Sequence, residues 1–578
     1  MGQILHGINC WMKGGSRWRT PLSFFMFGCA GSFQVGYQSS VYNQPQSIME
    51  EFLAASYTAQ YGQPASEDYV TIIWSLVIAF YPLGSVFGTL LGSQYLMDRF
   101  GRKGALLCGA AICALGSGCQ ALAYVFNSFQ MLLPGRFLCG VGIAVNISTQ
   151  VVLLSETAPT RIRGTAGASI HVIAVVGTIV ANLLGFPWAL GTTQLWPYLH
   201  VASILILLIG YLPAHFLFPE SPKSLLVNRQ RSDLARRSLV FYNCPYLEPS
   251  ITSKGNQGLG DRSKILRTSL DEQELRKEEE EVKAAIDALL DTIRAEEDDV
   301  DQARKRQGRS WRLLYLFDFL RENPGFRPVA FFLLLLCLSI PFCGYFIMLS
   351  FTVYILMKAG LSKAAAHYAS LSYCVVNLAA AVLGCRAIER RGRRPMVLTG
   401  AWLTLVCLTL LFCCQTAREM LTATTSSDGS VFLLLLLSVL SIAAVLTHAS
   451  GKAWLVCAHD ALKAELFPSY IRATALVYAG QLWLDLANIG LSLAYLPLER
   501  QMGSFALLLL LVLPMLLLCL FLKRLCPETK GQHVSQIVDG IKRTADGTKE
   551  DLKLKQTASS TVSYDSITSA APDATTLH

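Results

Sequence analysis

Residues 155–164 read SETAPTRIRG, and residues 464–473 read AELFPSYIRA. Each closes a long apolar run with a Glu, then a Pro, then an Arg seven residues after the Glu. Glu156 and Arg163 thus recur, 309 residues on, as Glu465 and Arg472. Two more stretches behave the same way: DRFGRK at 98–103 returns as ERRGRR at 389–394, and PESPK at 219–223 is echoed by PETKG at 527–531. The same charged marks, in the same order, punctuate two sets of apolar runs. Such a chain is built of two parallel halves.

Composition sets the solvent. Of 578 residues, 52% are hydrophobic and only 15% charged, with mean hydropathy +0.41. Soluble domains carry about 25% charged residues, so this is a membrane protein by composition. The net charge of +9 is no nucleic-acid footprint, because the basic residues lie between apolar runs where they orient the chain in the bilayer. The 17 cysteines fall mostly inside apolar runs at no metal or disulfide spacing, and read as small apolar fillers. The N-terminal twenty residues are basic but lack the apolar stretch of a signal peptide.

Runs long enough to cross a bilayer lie near 21–41, 70–95, 105–125, 130–154, 166–188 and 197–218. They resume near 328–357, 366–387, 396–416, 431–462, 473–496 and 503–523. Spans in lipid must satisfy their own backbone, so all twelve are expected to be helical. The expected order is an N-terminus (1–20), a six-helix half (21–223), a helical linker (224–327), a second six-helix half (328–526) and a polar, largely disordered tail (527–578). Within the linker, 271–299 has the composition of a solvated amphipathic helix. Lys and Arg cluster on alternate loops with the linker, whereas 46–69 carries acids and no Lys or Arg. The positive-inside rule then puts both termini and the linker in the cytoplasm.

Two halves that open and close need exchangeable contacts at their ends, and ion pairs there can be traded for water at little net cost. Asp98, Arg99, Arg102, Glu156, Arg163 and Glu220 fall at such ends in the first half. Glu389, Arg390, Arg394, Glu465, Arg472 and Glu528 do so in the second.

The duplicated D/E-R-x-G-R-K/R, PESPKSLL after the sixth span and PETKG after the twelfth resemble the sugar porter family of the major facilitator superfamily. GSFQVGYQSSVYNQPQSIMEEF at 31–52 and GRFLCGVG at 135–142 are similar to its facilitative glucose transporter branch. The resemblance covers roughly 20–531. It implies an all-α fold of twelve transmembrane helices, a central site between halves, alternating access, and a cytoplasmic salt-bridge network made of the charged groups above. One departure is Gln94, where the family usually has a Gly. Proton-coupled members often carry an acid after Gly-Tyr in the first span; here Gln38 follows Gly36-Tyr37, which favours uniport.

At the substrate site the sequence departs further. The family's seventh-span Gln-Gln amides fall on Ile340 and Pro341, its fifth-span Gln on His171, its tenth-span Glu on Lys452 and its Trp on Asp460. Asn377 keeps the eighth-span Asn. Losing two amides removes about four hydrogen-bonding positions, so hexose recognition must be rebuilt. Candidate groups are polar stripes inside apolar spans. His448, Lys452 and His459 project within about 40° of one another at 100° per residue, and Gln481, Asp485, Asn488 and Ser492 follow an i, i+4, i+7, i+11 spacing. Such residues usually face a cavity or each other; a Lys452–Asp485 pair, or Lys452 reaching for the membrane surface, would be purely structural.

The expected substrate-binding set is therefore His171, Asn377, Lys452, Asp460, Gln481, Asp485 and Gln38. The expected function is facilitative transport of a hexose, polyol or related polar solute. Other readings are an organic-ion transporter using Lys452 and Asp485, and a non-transporting sensor. No phosphate loop, nucleophile elbow or metal-ligand cluster suggests an enzyme, a cofactor or a metal. The partners expected are a sugar-like solute and the lipid bilayer of the plasma membrane, with no nucleic acid and a functional monomer.

Overall fold

A computed structural model describes residues 19–158, 163–227, 231–247, 312–424, 429–467 and 474–529, with isolated positions at 291, 471, 537–538 and 540–541. Twelve helical spans run through them. The first is two helices, Arg19–Gly28 and Ser32–Ser40. Then come Glu67–Leu90, Tyr95–Val125, Phe129–Thr157, Arg163–Leu184 and Pro197–Leu217. The second half holds Pro324–Lys358, Lys363–Arg391, Arg393–Thr424, Gly429–Glu465, Leu482–Met502 and Phe505–Leu525. Among the described residues, nine of these are long and apolar enough to cross a membrane by composition alone. The first, fifth and eleventh fall short for visible reasons. The first is split and the eleventh carries the polar stripe; in the fifth, the stretch with every side chain described is Ser169–Leu184.

The break at 29–31 leaves backbone groups without helical partners, and the fourth span supplies them. Asn146 Nδ2 donates to Ala30 O at 3.0 Å, and Ser32 N donates to Gln150 Oε1 at 2.8 Å. The seventh span breaks as well, after Pro341, and restarts from Gly344 at φ +80°. Both halves widen their last span into π-helical turns, Leu207–Tyr211 in the sixth and Leu508–Val512 in the twelfth.

The halves meet through the second and eleventh spans and through the fifth and eighth. The fifth also approaches the tenth, where Val172 packs on Ala380, Ala381, Ala453 and Cys457. Small side chains let helices close on one another in the absence of a hydrophobic drive between them. Two short linker helices, Pro222–Val227 and Ser232–Leu247, lie against the first half. Thr20 Oγ1 donates to Tyr242 O at 3.2 Å, and Tyr242 OH donates to Pro219 O at 3.0 Å. The acidic stretch 271–299 and the distal tail fall outside the described residues, Asp291 apart.

Candidate solute site between the halves

The duplicated motifs build the same cluster twice. In the first half, Arg102 Nη2 meets Glu156 Oε1 at 2.6 Å, and Ser221 Oγ donates to the other oxygen of Glu156. In the second, Arg393 Nη2 meets Glu465 Oε1 at 3.1 Å, and Thr529 Oγ1 donates to Glu465 Oε2. The partner of Glu465 is thus Arg393, which is not among the expected network residues, whereas its neighbour Arg394 is. Aligning ERRGRR on DRFGRK through their glycines puts Arg393 opposite Arg102, and Arg394 offers Glu528 only its backbone N–H at 3.3 Å.

The remaining acid of each motif caps a helix. Glu220 accepts from Arg102 N at 3.2 Å and Lys103 N at 3.1 Å; Glu528 accepts from Arg393 N at 3.1 Å. A carboxylate there satisfies orphan first-turn donors and lies at the positive end of the helix dipole. The motif glycines make room for it. Gly101 and Gly392 sit at φ +77° and +89°, and a Cβ on either would lie 2.8 Å from Glu220 or 2.6 Å from Glu528. Of the other expected network members, Arg99 donates to Tyr95 OH at 2.7 Å, and Asp98 and Arg390 are exposed at the same helix ends. Arg472 and the side chains of Arg163 and Glu389 fall outside the described residues.

At the opposite end, hydrogen bonds tie half to half. Asn43 Nδ2 donates to Ser370 Oγ at 2.8 Å, its Oδ1 accepts from Val353 N at 3.1 Å, and Gln44 bonds His367. Lys363 Nζ reaches Ser47 Oγ at 2.9 Å, and Arg500 Nη1 donates to Glu67 O at 3.0 Å. This conformation is held shut at the end bearing residues 42–69.

Between the two ends lies the third polar region. Lys452 is fully buried, and its ammonium stands over two rings, 4.9 Å from the centroid of Tyr345 and 4.8 Å from that of Tyr373. It has no hydrogen-bond partner. Thirteen residues separate it from Glu465, about 20 Å of helix, so it cannot reach that surface. The Lys452–Asp485 pairing that opposite charge invites is not made. Asp485 instead accepts from Ser85 Oγ of the second span at 2.9 Å and from Gln481 Nε2 at 3.2 Å.

Around Lys452 the broken seventh span is fixed by a histidine. His448 Nε2 lies 2.7 Å from Cys343 O, which can only accept, so this nitrogen carries the proton. Its Nδ1 then accepts from Tyr373 OH at 3.4 Å. His171 comes from the other half, with its ring 6.4 Å from that of Tyr345. It lies beside Asn377 without meeting hydrogen-bond geometry, and His171 Nε2 and Asn377 Oδ1 are both buried and unpartnered.

The structure therefore brings His171, Asn377 and Lys452 together and adds Tyr345, Tyr373 and His448. Four expected members, Gln38, Asp460, Gln481 and Asp485, are placed elsewhere or already bonded. Gln38 Nε2 turns into the first half, donating to Ser117 Oγ and Ser203 Oγ at 3.1 Å each. Asp460 is taken by Lys463 at 2.6 Å and His459 at 3.1 Å. Gln481 is occupied by Asp485. The sequence reading singled out neither tyrosine, although Tyr373 at i−4 from Asn377 shares its helix face. Among the described residues no group of three or more His, Cys, Asp or Glu could hold a metal.

Comparison with known proteins agrees with this architecture. Human solute carrier family 2, facilitated glucose transporter member 11, is 27% identical over 528 residues, 89% of this chain and 91% of that protein. Facilitated glucose transporter member 1 of Gallus gallus is 25% identical over 533 residues, 91% and 94% of the two chains. A solved structure of the proton:xylose symporter XylE bound to 6-bromo-6-deoxy-D-glucose superposes with a TM-score of 0.64 at 19% identity, covering 91% of this chain and all of that one. At that identity the likeness establishes the major facilitator fold. The family model described as "Sugar (and other) transporter" matches residues 24–248 and 264–539, and the chain belongs to that family as a multi-pass membrane protein.

Proposed function

We propose that the chain is a facilitative transporter, a uniporter that carries a hexose, polyol or related polar solute by alternating access. The observation that carries this reading is the polar cluster shared between halves, His171 from one and Lys452, Tyr373 and Asn377 from the other, in a bundle tied shut at one end. The names of the relatives, facilitated glucose transporters, supply the solute class. Gln38 supports uniport, because its amide, which donates through Nε2 to two serine hydroxyls, is neutral and takes up no proton.

In this cycle each half moves as a unit. Arg102–Glu156–Ser221 and Arg393–Glu465–Thr529 each bind spans of one half together, keeping it rigid while the contacts at Asn43 and Gln44 break. The reading places the halves at 21–223 and 328–526, the linker at 224–327 and the tail at 527–578. Glu528 and Thr529 extend the second half into that tail, since they complete its charged cluster. Both termini and the linker face the cytoplasm of the plasma membrane, and a monomer suffices. An organic-ion solute is favoured by one observation, the unpaired ammonium of Lys452.

The test is uptake of labelled glucose and fructose into proteoliposomes holding the purified protein, with and without a pH gradient. Saturable flux indifferent to the gradient is expected. Flux that requires the gradient would contradict uniport, and no flux of either sugar would contradict the solute class.

A further inference from the structure

The unmatched groups at the centre specify more than a neutral sugar. We propose that the preferred solute is a hydroxylated organic carboxylate, a sugar acid rather than a sugar, with its carboxylate on Lys452; this rests on the uniport reading above and narrows its solute class.

Lys452 Nζ is a cation in a fully buried setting with aromatic faces on two sides and no acceptor. Ring faces attract an ammonium but offer no lone pairs for its three N–H donors. The two aspartates of the polar stripes are committed elsewhere: Asp485 to Ser85 and Gln481, and Asp460 to Lys463 and His459. A buried charge without a counter-ion is among the costliest groups a protein keeps, and inside a span it usually marks a solute path. A solute carboxylate supplies both the missing charge and the missing acceptors.

The rest of the unmatched set fixes what else the solute carries. Asn377 Oδ1 is a buried acceptor without a donor. His171 Nε2 is a ring nitrogen that can give or take one hydrogen bond. A carboxylate alone answers neither need, whereas hydroxyls on the adjacent carbons can donate to Asn377 and meet His171 on the opposite half. Because His171 and Lys452 come from different halves, the solute touches both, as a carrier that closes around its cargo requires.

The carbon skeletons of gluconate and glucitol are alike and differ at one end, a carboxylate against a neutral alcohol. The experiment is binding and uptake of labelled gluconate by the full-length protein, in detergent and in proteoliposomes, with unlabelled gluconate, glucitol or glucose as competitor. Gluconate is expected to displace the label at least about tenfold more effectively than glucitol, since one unpaired buried charge is worth a factor of that size or more. Its uptake should quicken under an inside-positive potassium diffusion potential. Lys452→Met should abolish binding, and Lys452→Arg should retain part of it. Glucose flux without gluconate binding or flux would overturn this proposal and leave the uniport reading standing. Gluconate binding unaffected in Lys452→Met would also overturn it. Absence of both glucose and gluconate flux would sink the uniport reading, and if gluconate binding were absent too, this proposal with it.

Discussion

Arg102, with 13% of its side chain exposed, and Lys452, fully buried, are both cations on spanning helices, and they are treated in opposite ways. Arg102 has Glu156 at 2.6 Å, and the pair is repeated in the other half as Arg393 and Glu465. Lys452 has two aromatic faces and no acceptor, and the corresponding first-half position does not repeat it: 452 less the 309-residue offset is Ile143. In the duplicated chemistry each cation has its counter-ion within its own half, where it holds the scaffold, although the Nε of Arg102 and of Arg393 is left without a hydrogen bond. The unduplicated chemistry lies between the halves and is left unbalanced. A group kept unmatched in the folded protein has a use outside the folded protein's own stability.

The comparison can be broken first at the glycines. Gly101→Ala and Gly392→Ala each impose an unfavourable φ and push the capping carboxylate off its backbone donors. Each should cost about 2–4 kcal/mol, and by nearly equal amounts if the clusters are equivalent. Thermal unfolding in detergent reads this, and a large effect at only one glycine would break the equivalence. Next come the acids. Glu156 is 10% exposed and Glu465 33%, so Glu156→Gln should cost about 3 kcal/mol and Glu465→Gln about 1 kcal/mol, since solvent screens the second pair. Equal losses in the same assay would show that burial does not set their strengths. The smallest effects belong to the hydroxyls: Ser221→Ala and Thr529→Ala should each cost about 1 kcal/mol. Adding Ser221→Ala to Glu156→Gln should cost less than the sum, because the two share a partner.

How much of this could be read in the sequence follows the same division. The two-half fold was legible because charged motifs recur in the same order between two sets of apolar runs, and those runs placed the twelve spans. Arg393 was legible too, through the shared Gly of DRFGRK and ERRGRR, but the neighbouring Arg394 competes with it on composition alone. The central cluster was legible only in part. Lys452, His171 and Asn377 stand out as polar residues in apolar helices, yet which of them meet depends on how the fifth, eighth and tenth spans cross. Periodicity within one helix carries no information about that. It could not separate a Lys452–Asp485 pair from two residues with different neighbours, nor show that Tyr345 and Tyr373 flank an ammonium. Nor could it show that Gln38 donates to Ser117 and Ser203, or that Asp460 pairs with Lys463.

The central claim is that Lys452 is kept at a cost to stability while Arg102 is kept for stability. The most direct test is the melting temperature of the detergent-solubilised, solute-free protein carrying Lys452→Met beside one carrying Arg102→Met. Removing the unpaired ammonium should raise stability, by on the order of 1–3 kcal/mol after the lost ring contacts are counted, and removing Arg102 should lower it by a similar amount. Opposite signs are the predicted result. If Lys452→Met melts below the parent protein, as Arg102→Met does, Lys452 is a structural residue and the account of the central site is wrong.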